Sequence, residues 1–108
     1  MQNETVLYHV VKKHVDYVFK IHGGMMQKSG MPDVYVCHKG KQFWLELKVQ
    51  RNKLSLQQKL VIKKMKRQKI PVWVLRWNMG YFILENEDGD VLLFVDLLPD
   101  IFEYCLVN

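Results

Sequence analysis

Glycine and proline are scarce in this 108-residue chain, six and three residues respectively, too few for a disordered or collagen-like polymer. Long apolar runs are absent as well. Nothing approaches the roughly 18 to 20 residues that cross a bilayer, and the polar N-terminus lacks the hydrophobic stretch of a secretion signal. An intracellular protein without a membrane partner is therefore expected. Cysteine occurs only as Cys37 and Cys105, far apart and with no Cys-x-x-Cys or Cys/His ligand spacing, so neither a disulfide framework nor a zinc site is expected. Each thiol should be free and packed.

Charge of one sign is nearly missing from one stretch and wholly missing from another. Lys41 to Lys69 holds ten Lys/Arg and a single acid, Glu46, whereas residues 78 to 108 hold seven acids and no Lys or Arg. A basic middle segment would draw phosphates, although a solvated lysine face gives the same composition. What remains is ordinary: 49% apolar and 25% charged residues, the proportions of one globular domain with one modest core.

Leu7, Val10, Val11, His14, Val15 and Val18 recur at helical spacing behind a possible Asn3 cap and ahead of Gly23-Gly24, which predicts a helix over residues 4 to 21. Val34 to Cys37 and Gln42 to Val49, joined across Lys39-Gly40-Lys41, read as a hairpin. Ser55 to Lys69 reads as a second amphipathic helix, with Leu56, Val61, Ile62 and Met65 inward and Lys59, Lys63, Lys66 and Arg67 outward. Val72 to Trp77 is nearly all apolar, as in a strand buried on both faces and reached by a helical crossover. The expected fold is α/β, a small mixed sheet flanked by helices in the order αββαβ over residues 4 to 77. Tyr81 to Leu84 and Val91 to Val95 form an appended hairpin, and residues 96 to 108 a short terminal segment.

Chemistry gathers on the second strand of the first hairpin. Glu46 and Lys48 are two apart, so both side chains leave one face of the strand while Leu45, Leu47 and Val49 take the other. The hairpin brings Asp33, which follows Pro32, towards the Glu46 face. Two carboxylates can hold one divalent cation of the hard, oxygen-seeking kind, Mg²⁺ or Mn²⁺, which is what phosphodiester hydrolysis needs. Lys48 beside it can orient a water or neutralise charge in the transition state.

Pro32-Asp33, Glu46-Leu47-Lys48 and Leu54-Ser55-Leu56-Gln57-Gln58 at a helix start, in that order, resemble the PD-(D/E)xK nuclease superfamily. With Ser29-Gly30-Met31 before the Pro-Asp pair and Phe43-Trp44-Leu45 before the glutamate, the chain is similar to the virus-type replication-repair nuclease (VRR-NUC) domain. That resemblance implies a restriction-endonuclease-like core and a Mg²⁺-dependent DNA endonuclease. Its expected substrate is branched or Holliday-junction-like DNA, and its setting the cytoplasm of a bacterial host or a virus-infected cell. It implies Glu4, Asp33, Glu46 and the Leu47 backbone carbonyl as metal ligands, Lys48 as catalytic lysine, Gln58 as the helix glutamine beside it, and Gly30 as the small residue at a tight approach. Relatives usually carry glycine in the turn after the catalytic strand. Here it reads Gln50-Arg51-Asn52-Lys53.

Plainer readings stand beside these. Glu46 and Lys48 can be an exposed pair of little energetic value; Asp33 can be a turn residue; Ser55 and Gln58 also spell a capping box; Glu4 suits a first helical turn on dipole grounds alone. His9, His14, His22 and His38 show no motif spacing, and Trp44, Trp73 and Trp77 are expected to pack. For DNA, the candidate contacts are Lys20, Lys28, Arg51, Lys53, Lys59, Lys63, Lys66 and Arg67. A homodimer is expected through Phe82, Ile83, Leu92, Leu93 and Phe94. The rival function is an inactive nucleic-acid-binding module on the same fold.

Overall fold

A computed structural model of the chain describes residues 1–21 and 30–108. Its elements are α1 (Glu4–Lys12), β1 (Tyr17–Lys20), β2 (Val34–His38), β3 (Lys41–Val49), α2 (Leu56–Arg67), β4 (Val72–Asn78), β5 (Tyr81–Glu85), β6 (Val91–Val95) and α3 (Leu98–Val107). The strands form one mixed sheet in sequence order, β1 to β6. Neighbours run antiparallel except β3 and β4, which are parallel and joined by the α2 crossover.

The long first helix is corrected. α1 opens on Asn3, whose side chain accepts from the Val6 N–H, and closes at a Lys13 cap; the chain then turns and re-enters as strand β1. Val15 and Val18 fit a helical period, but Val18 sits opposite Val36 of β2 while Tyr17 and Phe19 point the other way. Pairing with the β2 edge outweighs weak helical periodicity in a segment rich in β-branched and aromatic residues. Asp16 fixes the entry, its carboxylate accepting from the Lys39 N–H at 2.8 Å.

Two tight turns set the register. Lys39-Gly40 and Met79-Gly80 each join adjacent strands with positive φ at both residues, the mirror-image turn whose twist suits a hairpin. Side chains then alternate. On β3, Phe43, Leu45, Leu47 and Val49 enter the core beneath α1 and α3, built with Leu7, Val11, Leu75, Phe82, Leu84, Ile101 and Phe102. Trp44, Glu46 and Lys48 take the α2 side, where Val61, Ile62 and Met65 pack on Val72 and Val74. Full burial of each such aliphatic side chain contributes about 1.5 to 3 kcal/mol.

The C-terminal third is not an appendage. β5 and β6 continue the sheet beyond β4, and residues 96 to 108 contain helix α3, whose Leu98, Ile101, Phe102 and Cys105 are core. Phe82 and Ile83, expected on an exposed dimer surface, are 6% and 7% exposed because both sheet faces are covered at β5. Leu92 and Phe94 on the outer strand do remain exposed. Both cysteines are free, and burial pushes the Cys105 thiol up to about 12. Among the described residues no helix is long and apolar enough to cross a membrane.

Candidate active site

Strand parity places the candidate chemistry. Trp44 and Gln50 donate their backbone N–H groups towards β4, to Pro71 and Trp77, so the backbone polar groups of odd-numbered Leu47 point towards β2. The β2–β3 ladder ends at Val34 and Leu45. Beyond it, Asp33 takes the place of a strand partner, its Oδ2 accepting from the Leu47 N–H at 2.9 Å. The Leu47 carbonyl faces the same side.

Glu46 is 2% exposed and Lys48 9%, which removes the reading of a solvated surface pair. Lys48 Nζ lies 3.6 Å from Glu46 Oε2. Burial above all, then the charge of nearby Asp33, push the Glu46 carboxyl up to about 8 against the lowering pull of Lys48. Its Oε1 is buried without a hydrogen-bond partner among the described residues. Leaving such an atom unpaired costs about 1 to 3 kcal/mol, and more if charged. A proton or a cation shared with Asp33 would remove that penalty. Two carboxyl groups and a backbone carbonyl are hard oxygen donors suited to Mg²⁺ or Mn²⁺.

Gln58 both caps its own helix and reaches the candidate site. Ser55 caps α2 by accepting from the Gln58 N–H, and Gln58 Oε1 accepts from the Ser55 N–H in return. Its amide nitrogen then donates to Glu46 Oε2 at 3.1 Å. The helix start is thereby tied to β3 by one side chain. Gly30 lets this happen. At φ +87°, a Cβ built on it would lie 2.8 Å from the Gln57 backbone oxygen, closer than any side chain tolerates.

Glu4 is in the first turn of α1, on the helix that packs against the opposite sheet face. Among the described residues no group of three or more His, Cys, Asp or Glu side chains is placed to hold a metal ion, so Glu4 does not complete a triad with Asp33 and Glu46 in this arrangement. Lys20 also faces α1, its ammonium 5.3 Å from the Tyr8 ring centre. Lys28, and His22 with it, lies outside the described residues. Arg51 is exposed and lines a hollow with Gln50, Asn52 and Trp77; Lys53 and Lys59 line another with Arg76, Glu85 and Glu87. On α2, Lys66 Nζ meets Glu87 at 2.7 Å and Lys63 Nζ meets Asp88 at 3.4 Å. The acidic β5–β6 turn thus partly neutralises the helix face expected to meet phosphates. Arg67 is exposed and makes no ion pair among the described residues.

Sequence reasoning missed Arg76. It stands next to Lys48 in the β3–β4 register, is held by Glu85, and donates from Nη1 to the carbonyls of Gln50 and Asn52 at 2.8 and 2.7 Å. It clamps the turn that leaves β3. Gln50 there has φ +55°, a left-handed conformation in which glycine is the least strained residue. The only signal for Arg76 was a lone cation within an apolar strand. No family model and no curated protein sequence matches the chain.

Proposed function

We propose that the protein is a Mg²⁺- or Mn²⁺-dependent DNA endonuclease of the PD-(D/E)xK type, VRR-NUC-like, acting on branched DNA as a homodimer. One observation carries this reading: Asp33, Glu46, Lys48 and Gln58, drawn from three separate segments, converge on one face at the end of the β2–β3 ladder, around a buried carboxylate oxygen that lacks a partner. A merely structural salt bridge would have its acceptor atoms satisfied.

Asp33, Glu46 and the Leu47 carbonyl would hold the cation, whose chemistry is to polarise the phosphate and acidify an attacking water. Asp33, half exposed, faces the incoming phosphate. Lys48 supplies positive charge beside Glu46 where negative charge develops, and Gln58 keeps the Glu46 carboxyl in one orientation. Exposed Arg67, Arg51 and Lys53 would attract the DNA backbone.

The second reading, a DNA-binding module without catalysis, draws support from the lack, among the described residues, of a third acidic side chain at the site. Purified protein with Mg²⁺ or Mn²⁺ is to be tested against linear, flap, fork and four-way-junction DNAs. Metal-dependent cleavage lost in Lys48→Ala supports the nuclease, and binding without cleavage under every condition supports the module.

A further inference from the structure

The α2 face of the sheet is only partly covered. Towards β1 it presents a row of aromatic side chains made by cross-strand pairing: Phe19 opposite Tyr35, and Tyr35 opposite Trp44. The Tyr35 and Trp44 rings are 5.0 Å apart, and those of Phe19 and Tyr35 6.3 Å. Phe19 is 54% exposed. Beside Tyr35 and Trp44 opens a hollow of about 440 Å³, lined also by Gln42, Lys69, Ile70 and Pro71.

The lining has a chemical character. Two aromatic rings offer stacking faces; the Gln42 carbonyl accepts from the Tyr35 hydroxyl at 2.6 Å, which leaves its amide N–H groups as donors. Lys69 makes no ion pair among the described residues, and no carboxylate lines the hollow. Position matters as much. Trp44 and Glu46 are two residues apart on the same face of β3, about 7 Å at the rise of a strand, close to the step of one nucleotide along an extended single strand.

We propose that this hollow receives an unpaired base of the DNA strand being cut, one nucleotide from the phosphate at Asp33 and Glu46. The proposal rests on the phosphodiester reading of those residues and narrows its substrate class to DNA with an unpaired nucleotide at the cut. A base entering the hollow stacks against the Tyr35–Trp44 pair, Gln42 donates to its edge, and Lys69 meets the adjoining phosphate. A base held in a duplex cannot enter, because both of its faces are already stacked. Aromatic stacking tolerates any base, so the hollow selects for an unpaired state rather than for sequence.

The test measures binding of the full chain in EDTA, where no cleavage intervenes, to a labelled oligothymidylate and to a fully paired hairpin duplex. Tyr35→Ala should weaken oligothymidylate binding about tenfold or more, the usual scale for loss of one stacked base, and Tyr35→Phe should retain it. Gln42→Glu, an exposed position whose change spares the fold, should weaken it as well. Duplex affinity should move by less than about twofold throughout. Unchanged oligothymidylate affinity in both Tyr35→Ala and Gln42→Glu, or an equal loss on the duplex, overturns the proposal. Tyr35-dependent single-strand binding by a protein that cleaves nothing in Mg²⁺ would uphold the hollow and remove the nuclease.

Discussion

The guanidinium of Arg76 and the carboxylate of Glu85 meet as a two-pronged pair, Nε to Oε2 at 2.9 Å and Nη2 to Oε1 at 3.2 Å, with side chains only 13% and 11% exposed. The remaining guanidinium nitrogen reaches the turn after β3. One cation therefore joins β5 to the end of β3.

Removing one member of this pair should leave the other charge buried. Arg76→Ala is expected to cost about 3 to 5 kcal/mol in urea unfolding, whereas Arg76→Met with Glu85→Met should recover most of it. An Arg76→Ala protein as stable as the parent would refute the clamp. Arg76→Lys keeps the charge but not the fork, and should retain only part of the stability.

Glu46 carries a cost in the cation-free protein. Its folded carboxyl lies near 8 against an ordinary 4.5, so the folded chain keeps a proton that the unfolded chain releases between those values. Its contribution is fully present below about pH 4.5 and is lost as pH rises through 8. In EDTA, wild type minus Glu46→Gln stability should therefore fall between pH 5 and 8, by on the order of a few kcal/mol. The variant should be at least as stable at pH 8 and inactive in cleavage. A difference that stays flat or rises with pH removes this account.

Cation binding and that proton compete for the same oxygens. Near pH 6.5, Mn²⁺ or Mg²⁺ binding should release close to one proton, and affinity should increase as pH rises towards 8. Calorimetry in buffers of different ionisation heat measures the release. Proton-neutral binding would place the ion elsewhere.

Gly30 and Gln50 predict opposite responses. Gly30→Ala forces a Cβ against the Gln57 backbone at a positive φ, and should cost about 1 to 3 kcal/mol while displacing the α2 start that carries Gln58. Gln50→Gly should be neutral or stabilising by up to about 1 kcal/mol, because the native φ is already left-handed. Chemical denaturation of both proteins checks the pair.

Lys63 and Lys66 face acids of their own chain. Glu87→Gln with Asp88→Asn should free both for phosphate, raising DNA affinity and steepening its salt dependence by roughly 0.9 in logarithmic slope per new contact on duplex DNA. Lys59→Ala with Lys63→Ala should lower the slope with little change in thermal stability. Slopes equal in all three proteins would mean that this helix face only keeps the protein soluble.

Much of the arrangement could be read from local pattern. Val72 to Trp77 announced a strand buried on both faces, Ser55 and Gln58 a capped helix, and Glu46 and Lys48 a shared face two residues apart. Val15 and Val18 fit the helical period yet are β-branched residues suited to a strand, and only pairing with the β2 edge decides between the two. Burial of Glu46 depends on Asp33, Gln58 and α2 arriving together, which no single segment encodes. Arg76 was opaque for the same reason: its partners lie nine residues after it and at the turn more than twenty before.

The lone parallel pairing, β3 against β4, has a consequence for how the chain reaches its native state. The hairpin of β2 and β3 and the meander of β4, β5 and β6 each close through short loops, but they join only when the α2 crossover has docked. Non-local pairing of this kind is the slow step in small domains. Asp33, Glu46 and Lys48 belong to the first unit, Arg76 and Glu85 to the second, and Gln58 to the crossover itself. The residues of the site would therefore acquire their mutual geometry last. Destabilising the β3–β4 seam at Val74 or Leu75 should slow refolding and the recovery of metal affinity with the same rate constant.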